Sequence, residues 1–410
     1  MTTQIFTSQE IERFRADTIG CSFVNHLNNA GAGLMPDIVS SAMQNHIRLE
    51  AETGGYEAAA IKKAAIDEFY KQAALLVNTR AENIAFTSSA TDSFTRALSS
   101  IPFERDDVIL TDRDDYISNQ IQFLSFQKRF GVRIEHIRNS PTGGVDPDDL
   151  REKLFRLQPK LLAITHVPTN SGLVQPVEQI ATIFREYKNQ HDTATWYILD
   201  ACQSIGQIKL DVQALECDFL SVTNRKFLRG PRGTGFLYIA DRALDAGLEP
   251  LFIDMRGAEW TEGNQYKAQS GAIRFEDWEF AYALVLGSAE AIRYCRSIGE
   301  DRINAQIARH SDFLRSELAE IDRVKVLDRG PRLAGLVTFH IDGSEAKYIV
   351  DQLLHRRINV VGSFRNFAVF DFDEKGVQWA VRASPHYYNT QEELEHFLEA
   401  VKEIAALPKR

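Results

Sequence analysis

The run from Trp196 to Tyr238 reads WYILDACQSIGQIKLDVQALECDFLSVTNRKFLRGPRGTGFLY, and its reading decides the fold. One apolar run, Trp196–Leu199, ends in Asp200; a second, Asp218–Val222, leads into Thr223-Asn-Arg-Lys226 and the turn Gly230-Pro-Arg-Gly-Thr-Gly235. Short continuous apolar runs suit strands buried on both faces of a parallel sheet. Open α/β sheets hold ligands beyond the carboxyl ends of their strands, so the acid and the lysine emerge at one crevice with glycines behind the amine. A lysine directly after a buried strand is unusual, because lysines favour solvated places. The residues alone leave Lys226 as a nucleophile, an anion contact or a plain strand-end lysine. Asp200 alone is either a functional carboxylate or a cap for the next helix.

Strand–helix units continue on the N-terminal side. Asn83–Thr87, Asp107–Leu110, Val132–Ile137 and Leu161–Thr165 read as strands, with Asp146–Leu157 and Val177–Tyr187 among the covering helices. Ser8–Arg15 reads as a short helix capped by Ser8, Pro36 opens a helix to about Glu52, and another runs to about Leu76. Asp254–Gly271 is rich in glycine and polar groups and reads as a loop at an active-site mouth or a subunit contact. A long helix then ends near Gly299, followed by a helix over Asp301–Ile321. Strands are expected at Val324–Leu327, Gly335–Ile341, Asn366–Asp371 and Gln378–Ala383, with helices near Ser344–Arg356 and from Thr390 to about Ile404. The expected architecture is α/β: a large domain over residues 1–285 with a mostly parallel, doubly wound sheet, and a smaller α+β domain over 286–410.

Composition narrows the function classes. The chain has 410 residues, 44% of them apolar and 25% charged, enough for a large core. Its formal charge of −10, from 57 acids against 47 bases, argues against nucleic acid or an anionic membrane as partner. The four cysteines show no CxxC spacing, which suits free thiols in a reducing compartment, and no zinc or other metal pattern is present. The start MTTQIFTSQEIERF lacks a signal-peptide hydrophobic region, and no apolar run reaches the roughly 18 residues of a membrane span. The expected location is cytoplasmic.

Four further segments carry chemistry. After the strand ending at Thr87, Ser88-Ser89-Ala90-Thr91 opens a helix, an arrangement that holds phosphate on free backbone amides, although no GxxxxGK[ST] pattern is present. Asp200-Ala-Cys-Gln203, Thr223-Asn-Arg-Lys226 with its glycine turn, and Arg382-Ala-Ser-Pro-His-Tyr-Tyr-Asn-Thr390 complete the set. Over most of the chain this set resembles the pyridoxal-phosphate (PLP) enzymes of the class V aminotransferase superfamily. That superfamily also contains cysteine desulfurases, carbon–sulfur lyases and isopenicillin epimerase-like proteins.

The resemblance implies the fold type I of PLP-dependent transferases and assigns roles residue by residue. Lys226 bonds covalently to the cofactor aldehyde and later serves as base and acid at Cα, its pKa lowered by burial and by Arg225 or Arg229. Asp200 keeps the pyridine nitrogen protonated. Gln203 faces the phenolic oxygen; Ser89, Ala90, Thr91, Thr223 and Arg225 hold the phosphate, Arg225 standing where relatives carry histidine. Tyr116 falls where relatives stack a histidine on the ring, with a plain core aromatic as the structural alternative. Either Thr169 or Asn170 touches the site, and His166 is either near it or a satisfied polar residue. Ser270 and Gly271 match a cross-subunit phosphate contact in a homodimer. Asn28 lies near the substrate entrance, and Arg382 grips the α-carboxylate of a small-molecule amino acid.

Desulfurases of this superfamily need a mobile cysteine before the Arg382-type residue, and none occurs between Ile321 and Arg382. The motif set is most similar to the branch with carbon–sulfur lyases of the hercynylcysteine sulfoxide type. The expected reaction is therefore β-elimination from a cysteine-derived amino acid or its sulfoxide. An aminotransferase, an epimerase using Lys226 and Tyr116, and a non-catalytic regulatory protein are the alternatives.

Overall fold

The computed structural model describes residues 5–191 and 195–408. Seven strands form the main sheet: β1 (Ile84–Thr87), β2 (Val108–Thr111), β3 (Arg133–His136), β4 (Leu161–Thr165), β5 (Trp196–Asp200), β6 (Phe219–Thr223) and β7 (Gly235–Ile239). Their order is β1-β7-β6-β5-β4-β2-β3, with β7 antiparallel to both neighbours and the other pairs parallel. Every residue of β4, β5 and β6 is buried, which is why these strands read as unbroken apolar runs. This is the fold type I architecture expected from the sequence.

Strand β7 was legible only as the tail of the glycine turn. It returns antiparallel directly after that turn, and Gly235 makes the return possible. A Cβ there would lie 2.3 Å from the Val222 carbonyl oxygen and 3.0 Å from the Ser89 carbonyl carbon.

A second sheet contains β8 (Val324–Val326), β9 (Val337–Ile341), β10 (Val361–Phe364) and β11 (Trp379–Ala383) in the antiparallel order β8-β9-β11-β10. Helices Ala346–His355 and Gln391–Ala406 pack with it around an apolar cluster that includes Phe339, Leu353, Phe397 and Val401. Leu27 joins the same cluster, and Asn25–His26 pairs in parallel with Ile358–Asn359. The N-terminal segment is thus shared between the two halves. Residue 285 falls inside helix Tyr282–Ile298, whose Val285, Leu286, Ala289 and Ile292 belong to the cluster of the main sheet. We propose that the division into two parts follows these clusters.

Three local expectations are corrected. The first helix, Ser8–Ala16, is capped by Thr7, which forms a reciprocal box with Glu10. Asn366–Asp371 is not a strand: a short turn of helix at Arg365–Phe367 leads into helix Val369–Lys375. There the buried Asp371 and Lys375, four residues apart, pair at 2.7 Å, an i,i+4 spacing that only a helix satisfies. Asp254–Gly271 contains a hairpin, Ala258–Glu262 against Gln265–Ala268, turned by Gly263-Asn264 and with a register shift between Gln265 and Tyr266. Among the described residues no helix is long and apolar enough to cross a membrane.

Gly235→Val should destabilise the protein by about 3 kcal/mol, because both obstructing atoms are backbone and cannot swing aside. The check is the urea midpoint of the purified variant, and an unchanged midpoint refutes the close approach.

Candidate active site

Four parallel strands end on one cleft. Tyr116 and Asn119 follow β2, Val167 and Thr169 follow β4, Asp200 ends β5 with Cys202 and Gln203 behind it, and Thr223, Arg225 and Lys226 come from β6. With the start of helix Ala90–Ser100 they line one cleft.

Lys226 is buried, and the chain wraps it closely. Arg229 N–H donates to its carbonyl at 2.9 Å, and Gly230 N–H donates to Asn224 O at 2.7 Å, which fixes the turn after β6. From the other side Gly33 passes so near that a Cβ would stand 2.6 Å from the Lys226 carbonyl oxygen. Burial lowers the amine to about 8; Cys202 and Asp200 oppose the shift, while Arg225 and Arg382 add to it. Arg229 plays no such part: its guanidinium is spent on Leu34 O, Thr18 Oγ1 and the Tyr387 hydroxyl.

Asp200 is held by two donors. Asn119 Nδ2 reaches Oδ2 at 3.0 Å and the Cys202 N–H reaches Oδ1 at 2.9 Å; Asp200 caps no helix, since a turn follows it and the next helix, Val212–Leu215, is capped by Asp211. The same Asn119 amide donates to Asp115 Oδ1 at 2.9 Å, and Thr165 Oγ1 donates to that oxygen at 2.5 Å. Burial pushes Asp115 up to about 6, against these hydrogen bonds, with the charge of Asp200 adding to the rise. Sequence reading singled out Tyr116 in this stretch and missed Asp115 and Asn119. The available signal was three aspartates, Asp112, Asp114 and Asp115, crowded directly after a buried strand.

The other end of the cleft suits an anion. Ser89 caps helix Ala90–Ser100 through its Oγ, which accepts from Asp92 N at 3.1 Å, so the first-turn N–H groups of Ala90 and Thr91 stand at the cleft. Ser221 Oγ donates to Ala90 O at 3.0 Å and ties this turn to β6, which brings Thr223 beside it. Tyr116 lines the cleft, and its N–H donates to Asp115 Oδ1 at 2.7 Å.

Of the pair left open by sequence, Thr169 faces the site. Its Oγ1 accepts from Gln203 Nε2 and from Arg382 Nη1, each at 2.8 Å, and its carbonyl accepts from Arg382 Nη1 at 2.7 Å. Asn170 is turned away, donating to Asp371 Oδ2 at 2.6 Å. Asn28 Oδ1 lies 3.5 Å from Arg382 Nη2. Ser270 is exposed and Gly271 sits against the Glu82 carbonyl, both outside the cleft of this chain. His166 is buried behind β4 with no hydrogen-bond partner on either ring nitrogen among the described residues, and burial lowers it to about 3.

These donors fit PLP. An amine, a carboxylate and a helix start lie around one cavity, and two buried polar atoms beside it, Arg382 Nε and Gln203 Oε1, have no partner among the described residues. No group of three or more His, Cys, Asp or Glu suited to a metal occurs among the described residues.

The lowered lysine pKa is also a statement about stability. Between the unfolded value of 10.5 and about 8 the unfolded chain binds a proton that the folded chain has released, so stability rises with pH across that window. Below it the buried ammonium costs on the order of 3 kcal/mol. Lys226→Met should therefore raise the melting temperature of the cofactor-free protein at pH 7 by a few degrees, and the gain should vanish above pH 11. Scanning calorimetry at both pH values reads this, and a gain that persists at high pH rules out the buried charge as its cause.

The chain is similar to several known proteins. The chain is 27% identical over 390 residues to a probable cysteine desulfurase of Pyrococcus abyssi, covering 93% of this chain and 94% of that protein. It is 31% identical over 304 residues to one of Xylella fastidiosa, covering 73% and 70%. The apo structure of a cysteine desulfurase from Thermococcus onnurineus superposes with a TM-score of 0.87 at 27% identity, covering 96% of this chain and 98% of that one. The cystine C–S lyase C-DES shares the fold, with a TM-score of 0.83 at 23% identity over 95% and 99%. The sequence profile described as aminotransferase class-V matches residues 25–397, and the chain belongs to that family.

Proposed function

We propose that this protein is a PLP-dependent carbon–sulfur β-lyase acting on a cysteine-derived amino acid or its sulfoxide. One observation carries the choice: a buried amine, lowered to about 8, shares the cleft with a thiol that cannot act as a sulfur acceptor. Cys202 is the cysteine that lines the cleft, and burial, with Asp200 beside it, pushes its pKa well above the ordinary value. A persulfide-forming reaction needs a thiolate. Cys21, Cys217 and Cys295 are buried elsewhere, and no cysteine lies between Ile321 and Arg382.

When bound, PLP supplies a ring that accepts electrons from Cα. Asp200, held by Asn119 and the Cys202 N–H, keeps a proton on the ring nitrogen. Arg382, fixed by both oxygens of Thr169, grips the α-carboxylate and sets which Cα bond is presented to the ring. The neutral Lys226 amine takes the Cα proton. The released electron pair forms the Cα–Cβ double bond while the Cβ–S pair leaves on sulfur, and hydrolysis then gives pyruvate and ammonia. The motif set supports placement near the hercynylcysteine sulfoxide lyase branch.

S-substituted cysteines and their sulfoxides should release pyruvate in step with the thiol or sulfenic acid. Borohydride treatment of the loaded protein should fix a pyridoxyl group on the Lys226 peptide. Amino-group transfer to a keto acid without pyruvate would make the protein an aminotransferase, and loss of chirality at Cα alone would make it an epimerase.

We also propose a homodimer. Leu251, Phe252, Met255 and Trp260 are exposed at 61%, 84%, 65% and 79% on and beside the hairpin, a cluster of apolar side chains that water disfavours. Ser270 and Gly271 follow that hairpin directly. Sedimentation should give a dimer, and Trp260→Glu together with Phe252→Glu should shift it toward monomer and lower cofactor retention. A monomeric active protein refutes this.

A further inference from the structure

Thr223 and Arg225 read alike in sequence, as neighbours of the phosphate, but the structure separates them. Thr223 ends β6 beside the Ala90 helix start, where the anion seat lies. Arg225 stands beyond the strand, and its Nη1 donates to Gly31 O. Gly31 belongs to the segment whose Asn28 supports Arg382. Two guanidiniums therefore contact the same N-terminal segment, Arg225 at Gly31 and Arg382 at Asn28.

Neither is paired with a carboxylate among the described residues; Arg382 donates to Thr169 and Asn28, and Arg225 to Gly31. Burial pulls Arg382 down to about 10, and the charge of Arg225 adds to that shift, so the two repel across the cleft. One α-carboxylate neutralises one of them. Charges gathered in a poorly solvated cleft with no internal counter-ion are relieved by a ligand that carries the missing negative groups.

We propose that Arg225 and Arg382 form a two-arginine clamp for an amino acid with a second anionic group at the end of its side chain, a carboxylate or a sulfur oxyacid. This rests on the reading of the cleft as an amino-acid site, and it makes Arg225 a specificity residue. Arg382 takes the α-carboxylate and Arg225 the distal anion, while the phosphate is left to the helix start and Thr223.

The test uses cofactor-loaded protein and two matched pairs of probes. S-carboxymethylcysteine and its neutral amide, S-carbamoylmethylcysteine, are compared by kcat/KM. Glutarate and its monoamide are compared by equilibrium binding through the cofactor absorbance, which needs no turnover and so stands even if the lyase reading fails. In each pair the charged member should be favoured by about tenfold or more, the worth of a charge-assisted hydrogen bond. Arg225→Gln should bring both ratios to about one, Arg225→Lys should keep part of the preference, and the PLP binding isotherm should hold its midpoint in both. A wild-type ratio near one in the binding pair overturns the clamp. So does a Gln variant that loses PLP while keeping its preference, which would return Arg225 to the phosphate.

Discussion

The structure turns on burying a primary amine where no acid pairs with it. In water Lys226 would hold its proton up to about 10.5; in this cleft desolvation outweighs the attraction of Asp200, and the amine is lowered to about 8. Had a carboxylate been brought into contact, the pair would have been more stable and the amine useless as a nucleophile. Asp200 is instead one strand away, its two oxygens committed to Asn119 and to the Cys202 N–H. The parallel pairing of β5 with β6 therefore does chemical work, because it fixes how far the acid stands from the amine.

That separation needs close backbone packing around the lysine. Gly235 lets β7 return against β6, and Gly33 lets the N-terminal segment cross the Lys226 carbonyl. The crossing packs against the backbone of a lysine that is itself buried. It also explains why Leu27, far from the second sheet in sequence, is buried in that sheet's apolar cluster. Site and second sheet are joined through one strap of chain.

Much of the cofactor side was legible because it is local. Asp200, Thr223 and Lys226 each sit at the end of an apolar run, and burial on both faces leaves such runs few other readings. What resisted reading depends on contacts between distant segments. Thr169 and Asn170 are adjacent and both polar; only the placement of Asp371, two hundred residues on, turns the asparagine away. Asp115 looked like one more surface acid until Asn119 and Thr165 closed around it. The stretch around Phe367–Phe372 alternates like a strand, yet the Asp371–Lys375 pair, invisible to a period-two reading, fixes it as a helix. Strand β7 was hidden because the glycines before it mark a turn whatever follows.

The two ends of the cleft are built by different rules, and this bears on how such a fold takes on a new substrate. The cofactor end comes from three strand termini and one helix start, each specified within a few residues and locked by the sheet. In the proposed reading the substrate end is assembled from Asn28, Gly31, Thr169, Arg225 and Arg382, drawn from four separate segments and joined by a few hydrogen bonds. A change at Arg225 or Arg382 leaves the strand pairing in place while altering both the charge that a ligand must bring and the field on the Lys226 amine. Preorganised charge acts through geometry set before the ligand arrives. On the proposed reading, the chemistry at Cα belongs to the core, and the choice of which amino acid undergoes it belongs to the strap and its arginines.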